Sequence, residues 1–336
     1  MLMEKLPRLT LASLPTPLQE ARRLTATLGG PRIFIKRDDL TGLALGGNKT
    51  RKLEFVMAEA KRKSADVIIT TGGSQSNHAC LTAAAGCKLG MEVILVLFSG
   101  AHTENQGNLL LDTTFGAEVE LVKGGVADQS VVQDKIEKLV AALRSKGRKP
   151  YVVPVGAFTP LGTVGYVKAA SEICEQLKEK RLTAQHVFVT VGTGGTMAGL
   201  LLGAKYFEAP FHVVGVNIGF KKERITHSTA DMANETAKLL DMDVTLMPED
   251  VTIYDEYMGN GYGVPTTQCI EAIRLVAQTE GIILDPVYTG KAMSGLIDLI
   301  HQGRFNSGDT IIFMHTGGVP GVFAYNNELL VQKPIP

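Results

Sequence analysis

Short apolar runs alternate with longer amphipathic stretches through most of the chain, a pattern that predicts an α/β protein whose parallel strands are covered by crossover helices. Strands are expected at Asp66–Thr70, Val93–Leu97, Val187–Val191 and Thr310–Met314, and Ile33–Asp39 reads as extended. Apolar residues at helical spacing predict helices over Thr50–Lys63, Asn77–Leu89, Asp128–Ser145, Val164–Lys178, Met197–Tyr206, Thr266–Thr279 and Lys291–His301. Charged faces such as Asp134–Lys138 need no functional explanation. Pro, Gly and polar residues cluster at Ser145–Pro150 and Gly156–Pro160, marking loops or a crossing between domains.

A chain of 336 residues suggests about two domains, and 45% hydrophobic residues are enough to give each a core. No uninterrupted apolar run reaches the length of about 18 residues that a spanning helix needs, and the start lacks a signal peptide's apolar segment. A cytoplasmic protein is expected. Lys plus Arg and Asp plus Glu each total 34, so no net field draws the chain to nucleic acid or to an anionic membrane, and a small-molecule role fits better. Cys80, Cys87, Cys174 and Cys269 form no C-x-x-C pair, and the seven histidines show no metal-binding spacing. The cysteines read as packing residues in a reducing compartment.

Three glycine-rich elements carry candidate chemistry. Lys49, in Gly46-Gly47-Asn48-Lys49-Thr50-Arg51-Lys52, stands at a helix entrance whose dipole opposes positive charge, so its amine is suited to act as a nucleophile. Alone, this motif reads first as a surface basic cluster of Lys36, Arg37, Lys49, Arg51 and Lys52. The second element, Gly192-Thr193-Gly194-Gly195-Thr196, follows a β-branched strand and precedes a helix, where free N–H groups and two hydroxyls can hold a phosphate. It lacks the third glycine of a dinucleotide fingerprint and the lysine of a Walker loop. A packing turn remains the alternative. The third, Thr71–His78, suits a carboxylate, although Ser76 also reads as a helix cap and His78 as a polar residue of the first turn. Near the C-terminus, Tyr288 and Thr316 follow apparent strands, where ligands gather in parallel α/β folds. Tyr288 could stack on a planar ring and Thr316 could meet a ring nitrogen.

With these elements in this order, the chain resembles the fold-type-II pyridoxal-phosphate enzymes, specifically the D-cysteine desulfhydrase and 1-aminocyclopropane-1-carboxylate deaminase family, from Leu14-Pro15-Thr16-Pro17-Leu18 to His315-Thr316-Gly317-Gly318. The resemblance implies an α/β fold like the tryptophan synthase β subunit, with the active site between two parallel-sheet domains. It implies a discontinuous large domain of residues 1–50 and 161–336 and a small one of 51–160. Pyridoxal 5′-phosphate would be bonded to Lys49 and seated by Gly192, Thr193, Gly194, Gly195 and Thr196, with Lys52 adding positive charge. Asn77 would address the cofactor's phenolic oxygen, Tyr288 would lie against its ring, and Ser76, Asn77, His78 and Tyr262 would face a small amino-acid substrate. A homodimer is also implied.

Deaminases of this family carry Glu after the stacking tyrosine and Leu before the last Gly-Gly, where this chain has Thr289 and Thr316. A carboxylate keeps a pyridine nitrogen protonated, whereas a hydroxyl bonds without holding full charge there. The resemblance therefore points to β-elimination of D-cysteine, with Lys49 moving the Cα proton and Ser76 and Tyr262 assisting. L-cysteate sulfo-lyase activity is an alternative, for which the basic segment Gly219–Arg224 offers cations or only a solvated loop. Deaminase activity is a third. A non-catalytic cofactor-binding protein and a nucleotide-binding enzyme are rivals from other classes.

Overall fold

The computed structural model describes residues 2–124 and 129–330. Ten strands form two sheets: β1 (Leu18–Glu20), β2 (Arg32–Lys36), β3 (Val67–Gly73), β4 (Glu92–Phe98), β5 (Glu118–Val122), β6 (Pro150–Val153), β7 (His186–Val191), β8 (His212–Asn217), β9 (Thr252–Tyr254) and β10 (Thr310–Met314). The larger sheet has the order β1-β2-β10-β7-β8-β9 and the smaller β5-β4-β3-β6. Every pairing is parallel except β1 with β2.

The helices are α1 (Arg22–Leu28), α2 (Lys49–Arg62), α3 (Asn77–Lys88), α4 (Gly107–Thr114), α5 (Gln129–Ser145) and α6 (Pro160–Lys180), then α7 (Gly195–Tyr206), α8 (Lys222–Leu240), α9 (Thr267–Glu280), α10 (Thr289–His301), α11 (Val319–Ala324) and α12 (Asn326–Leu330). Both faces of each sheet are covered, which explains the continuous apolar strand runs. In β10, Ile312 and Met314 join the core that includes α6 and α7, while Ile311 and Phe313 join the one that includes α9 and α10. The same period-two division sends Ile68 and Leu95 to one face of the smaller sheet and Val67, Ile69 and Val96 to the other.

A buried polar network seats α2 against β2 and α6. Arg51 donates to both oxygens of Asp38 (2.8 and 2.9 Å) and to Glu172 (2.8 and 2.9 Å), while Lys36 donates to Glu172 (2.5 Å) and Gln176 (2.8 Å). Tyr166 closes the network by donating to Asp38 at 2.5 Å. Removing one partner from such a buried group strands the others and costs about 3–5 kcal/mol.

Each expected strand and helix is present, with ends shifted by a few residues; the expected helix start at Asp128 lies outside the described residues. Additional elements include β5, whose residues are half exposed on an edge, and β9, only three residues long. The basic segment 219–224 is a loop only as far as Lys221, because Lys222 opens α8. Strands between residues 67 and 153 make one sheet and those outside that interval make the other. We propose the division into 1–50 with 161–336 and 51–160 on this basis, with α2 packed against both α3 and α6.

Candidate active site

Three distant segments meet at the start of α2. Gly47 forms an antiparallel bridge with Gly317, and the Asn48 N–H donates to the Thr316 carbonyl at 3.0 Å. The Asn48 side chain donates to the Thr196 hydroxyl at 3.0 Å, tying this turn to the second glycine element. Lys49 is therefore held between the ends of β7 and β10. Burial pushes its amine down to about 8. Lys52 lies one turn further along the same helix face and is fully buried. Burial, and secondarily the charge of Lys49, hold its amine well below the usual lysine value.

The glycine element is the turn from β7 into α7. Gly194 caps the helix at φ +90°, and a Cβ there would come within 2.4 Å of the Thr229 hydroxyl, so only glycine fits. A Cβ on Gly195 would come within 2.8 Å of Lys52 Nζ. The ammonium thus abuts the first-turn backbone of α7, where N–H groups lack helical partners. Its one hydrogen bond among the described residues is to the Gly156 carbonyl at 3.3 Å. A buried lysine amine with so little compensation beside a helix N-terminus suits a multiply charged anion, which would restore its charge, and a phosphate fits these residues.

The third element leads from β3 into α3. Ser76 caps α3, accepting from the Ala79 N–H at 3.2 Å. Asn77 accepts from Asn108 at 2.8 Å, and Asn108 also donates to the Gln75 carbonyl at 3.0 Å. The His78 ring is 3% exposed and bonded through Nε2 to the Thr70 hydroxyl at 2.8 Å, in the first turn of α3. Thr70 donates to the Val153 carbonyl, so the Nε2–H is the donor to Thr70 and Nδ1 is bare. Burial, then the charges of Lys49 and Lys52, push this imidazole well below its usual range and keep it neutral.

Two tyrosines from the larger unit close the cleft. The Tyr262 and Tyr288 hydroxyls are 2.6 Å apart and their rings meet edge to face, 5.9 Å between centroids. Tyr262 lies 3.4 Å from where a Cβ on Gly73 would stand, and Tyr288 3.9 Å from the same point on Gly192. The tyrosines therefore span the turn from β3 into α3 and the turn from β7 into α7. Burial raises both phenols.

Thr289 and Thr316 occupy different environments. The Thr289 hydroxyl donates to Asp285 at 2.6 Å and accepts from the Asp285 N–H at 2.7 Å. The Asp285 carboxylate also accepts from the N–H groups of Val287, Tyr288 and Thr289. Both side chains are committed to shaping the turn into α10. Thr316 has no side-chain partner among the described residues. Its loop is set by His315, which bonds the Ile283 carbonyl at 3.0 Å and accepts from the Gly317 N–H at 3.3 Å. Asn48, Asp285 and His315 were not singled out in the sequence; the polar residue beside each glycine or tyrosine motif was the available signal.

An amine of lowered basicity beside a phosphate cradle, set between two parallel α/β sheets and walled by tyrosine, defines a fold-type-II pyridoxal-phosphate enzyme. A family profile described as "Pyridoxal-phosphate dependent enzyme" matches residues 9–317. A putative 1-aminocyclopropane-1-carboxylate deaminase of Pyrococcus horikoshii is 42% identical over 98% of this chain and 97% of its own. A D-cysteine desulfhydrase of Klebsiella pneumoniae is 41% identical over 97% of this chain and 98% of its own. The crystal structure of an ACC deaminase homologue superposes with a TM-score of 0.90 at 41% identity, covering 98% of this chain and 97% of the other. The chain belongs to the pyridoxal-phosphate dependent enzyme family, and its cofactor is pyridoxal 5′-phosphate. No helix among the described residues is long and apolar enough to cross a membrane.

Proposed function

We propose that the enzyme catalyses β-elimination of D-cysteine, breaking Cβ–S and releasing hydrogen sulfide, with pyruvate and ammonia as the final products after water is added. Lys49 would hold the cofactor, the Gly192–Thr196 turn and Lys52 its phosphate, Tyr288 its ring face, and Thr316 its ring nitrogen. When bound, pyridoxal phosphate supplies the electron sink that makes the Cα proton removable. The N–H groups and hydroxyl of the Ser76–Asn77 turn orient the substrate carboxylate, and the Lys49 amine moves the Cα proton. Tyr262 stands where it can meet the leaving sulfur or the carboxylate. The observation that carries the choice of elimination is that Thr316, whose carbonyl meets the Lys49 turn, has a hydroxyl with no partner among the described residues, while Asp285 and Thr289 are tied to each other. A hydroxyl at the ring nitrogen suits departure of a thiolate, which needs a weaker electron sink than opening a carbon ring.

The relatives named for desulfhydrase and deaminase activity are about equally similar, so product identity is the test. Purified enzyme is given D-cysteine, L-cysteine, L-cysteate and 1-aminocyclopropane-1-carboxylate, and sulfide, sulfite and 2-oxobutyrate are measured. Sulfide from D-cysteine is expected with a kcat/KM at least about 100-fold above any other product's. Dominant 2-oxobutyrate or sulfite would overturn the assignment. Lys222 lies 3.6 Å from Asp255, which disfavours a sulfonate site built on that basic segment. A cytoplasmic homodimer belongs to the same proposal.

A further inference from the structure

Lys291 is fully buried in the first turn of α10, and among the described residues no carboxylate forms an ion pair with it. Its ammonium points instead at three main-chain carbonyls: Met258 and Gly261, each at 2.7 Å, and Ile218 at 3.4 Å. Three N–H donors on three acceptors saturate a lysine. The acceptors belong to two segments, the exit of β8 and the turn that carries Tyr262.

The Tyr262 side chain meets Tyr288 through their hydroxyls at 2.6 Å, but the backbone of its turn is loosely tied within itself. Gly259, Gly261 and Gly263 all have positive φ, and its internal bonds, Gly261 N–H to Met258 and Val264 N–H to Gly261, are 3.4 Å long. The Lys291 bonds to the same two carbonyls are far shorter, and charge-assisted bonds are the stronger kind. Beyond them, Tyr325 donates to the Gly263 carbonyl at 2.9 Å. The Tyr262 backbone is also pressed against β8's exit, since a Cβ on Gly219 would fall 2.2 Å from the Tyr262 nitrogen.

We propose that Lys291 is a positioning residue: by binding the carbonyls on both sides of the turn to the β8 exit, it sets where the Tyr262 hydroxyl stands over the cleft. The inference rests on the proposed role of Tyr262 and goes further by naming what aims it. Burial pushes the Lys291 amine down to about 8, with Cys269 and Asp285 opposing the shift, so it remains mostly charged at neutral pH.

The test is a double-mutant cycle of Lys291→Met with Tyr262→Phe, combined with hydrogen exchange across residues 256–264 in enzyme with and without cofactor. Lys291→Met is expected to keep the cofactor's visible absorbance, to exchange at least about tenfold faster within that segment, and to lower kcat about tenfold. In the Tyr262→Phe background the same substitution should cost less than about twofold. Should the Met variant fail to fold, Lys291→Arg, which keeps the charge but not the spacing, carries the same cycle. Unchanged exchange, or losses that multiply in the double variant, would overturn the role of Lys291. Full activity of Tyr262→Phe alone would instead overturn the function given to Tyr262, and the exchange data would still report on the tie.

Discussion

Lys49 and Lys52 are three residues apart on one helix face, yet the fold gives them different tasks. In the proposed reading Lys49 must be a neutral amine to bond an aldehyde, whereas Lys52 must be cationic to hold a phosphate. Because burial lowers the Lys49 amine to about 8, its neutral fraction grows as pH rises through that value. The rate at which cofactor-free enzyme takes up pyridoxal phosphate, followed by visible absorbance, should therefore climb with pH through about 8 and level off above it. Lys49→Ala should abolish that absorbance. A flat rate between pH 7 and 9 would contradict this assignment. The glycine-rich entrance made Lys49 legible in the sequence. The Asn48 bond to Thr196 was not, because its partner is 148 positions away.

At the scale of elements, the joint between α3 and α4 carries a second consequence of burial. Asn77 meets Asn108 at its cleft end, and deeper in the same joint the fully buried Asp112 carboxyl lies against the Cys80 thiol. Burial pushes Asp112 up to about 8, so the folded protein keeps a proton there that the unfolded chain releases near pH 4. An acid raised in this way contributes stability that falls as pH rises from about 4 to 8. Asp112→Asn, which cannot ionise, should gain stability relative to the parent over that interval, by about 1–3 kcal/mol at pH 8. Urea denaturation at pH 5 and pH 8 checks it, and an equal difference at both values would refute it. The helix itself was invisible in the sequence, because α4 has only eight residues and the side chain of Gln106, at its N-cap, makes no capping bond. By contrast α3, α6 and α9 open on Ser76, Thr159 and Thr266, whose hydroxyls each accept from a first-turn N–H.

For the whole molecule, the anion cradle joins the two units: Lys52 reaches across to the α7 turn, while its own carbonyl partner, Gly156, lies just before α6. An anion seated there binds the folded state alone and must stabilise it. Inorganic phosphate at 100 times its Kd should raise the Tm of cofactor-free enzyme by about 5 °C, corresponding to roughly 2–3 kcal/mol. At one fixed phosphate concentration the gain should be larger at pH 8 than at pH 10, because burial lowers the basicity of Lys52 and it must regain a proton to pair with the anion. Lys52→Met should remove most of the gain. A variant as responsive to phosphate as the parent would show that the anion binds elsewhere.

The apolar runs and glycine-rich turns of this chain determine by themselves that it forms parallel, doubly covered sheets and that its chemistry lies at strand ends, since both follow from local periodicity and backbone freedom. Residue type also made Lys49, Ser76, Tyr288 and Thr316 visible as candidates, and the family resemblance added Tyr262. Which of them are exposed to one another was decided only by the tertiary structure. It placed Thr289 on Asp285, bonded His78 to Thr70, left the Thr316 hydroxyl without a partner among the described residues, and brought Lys291 to the Tyr262 turn. Those outcomes depend on desolvation and on hydrogen bonds between residues far apart in the chain, quantities that exist only once the two sheets have packed.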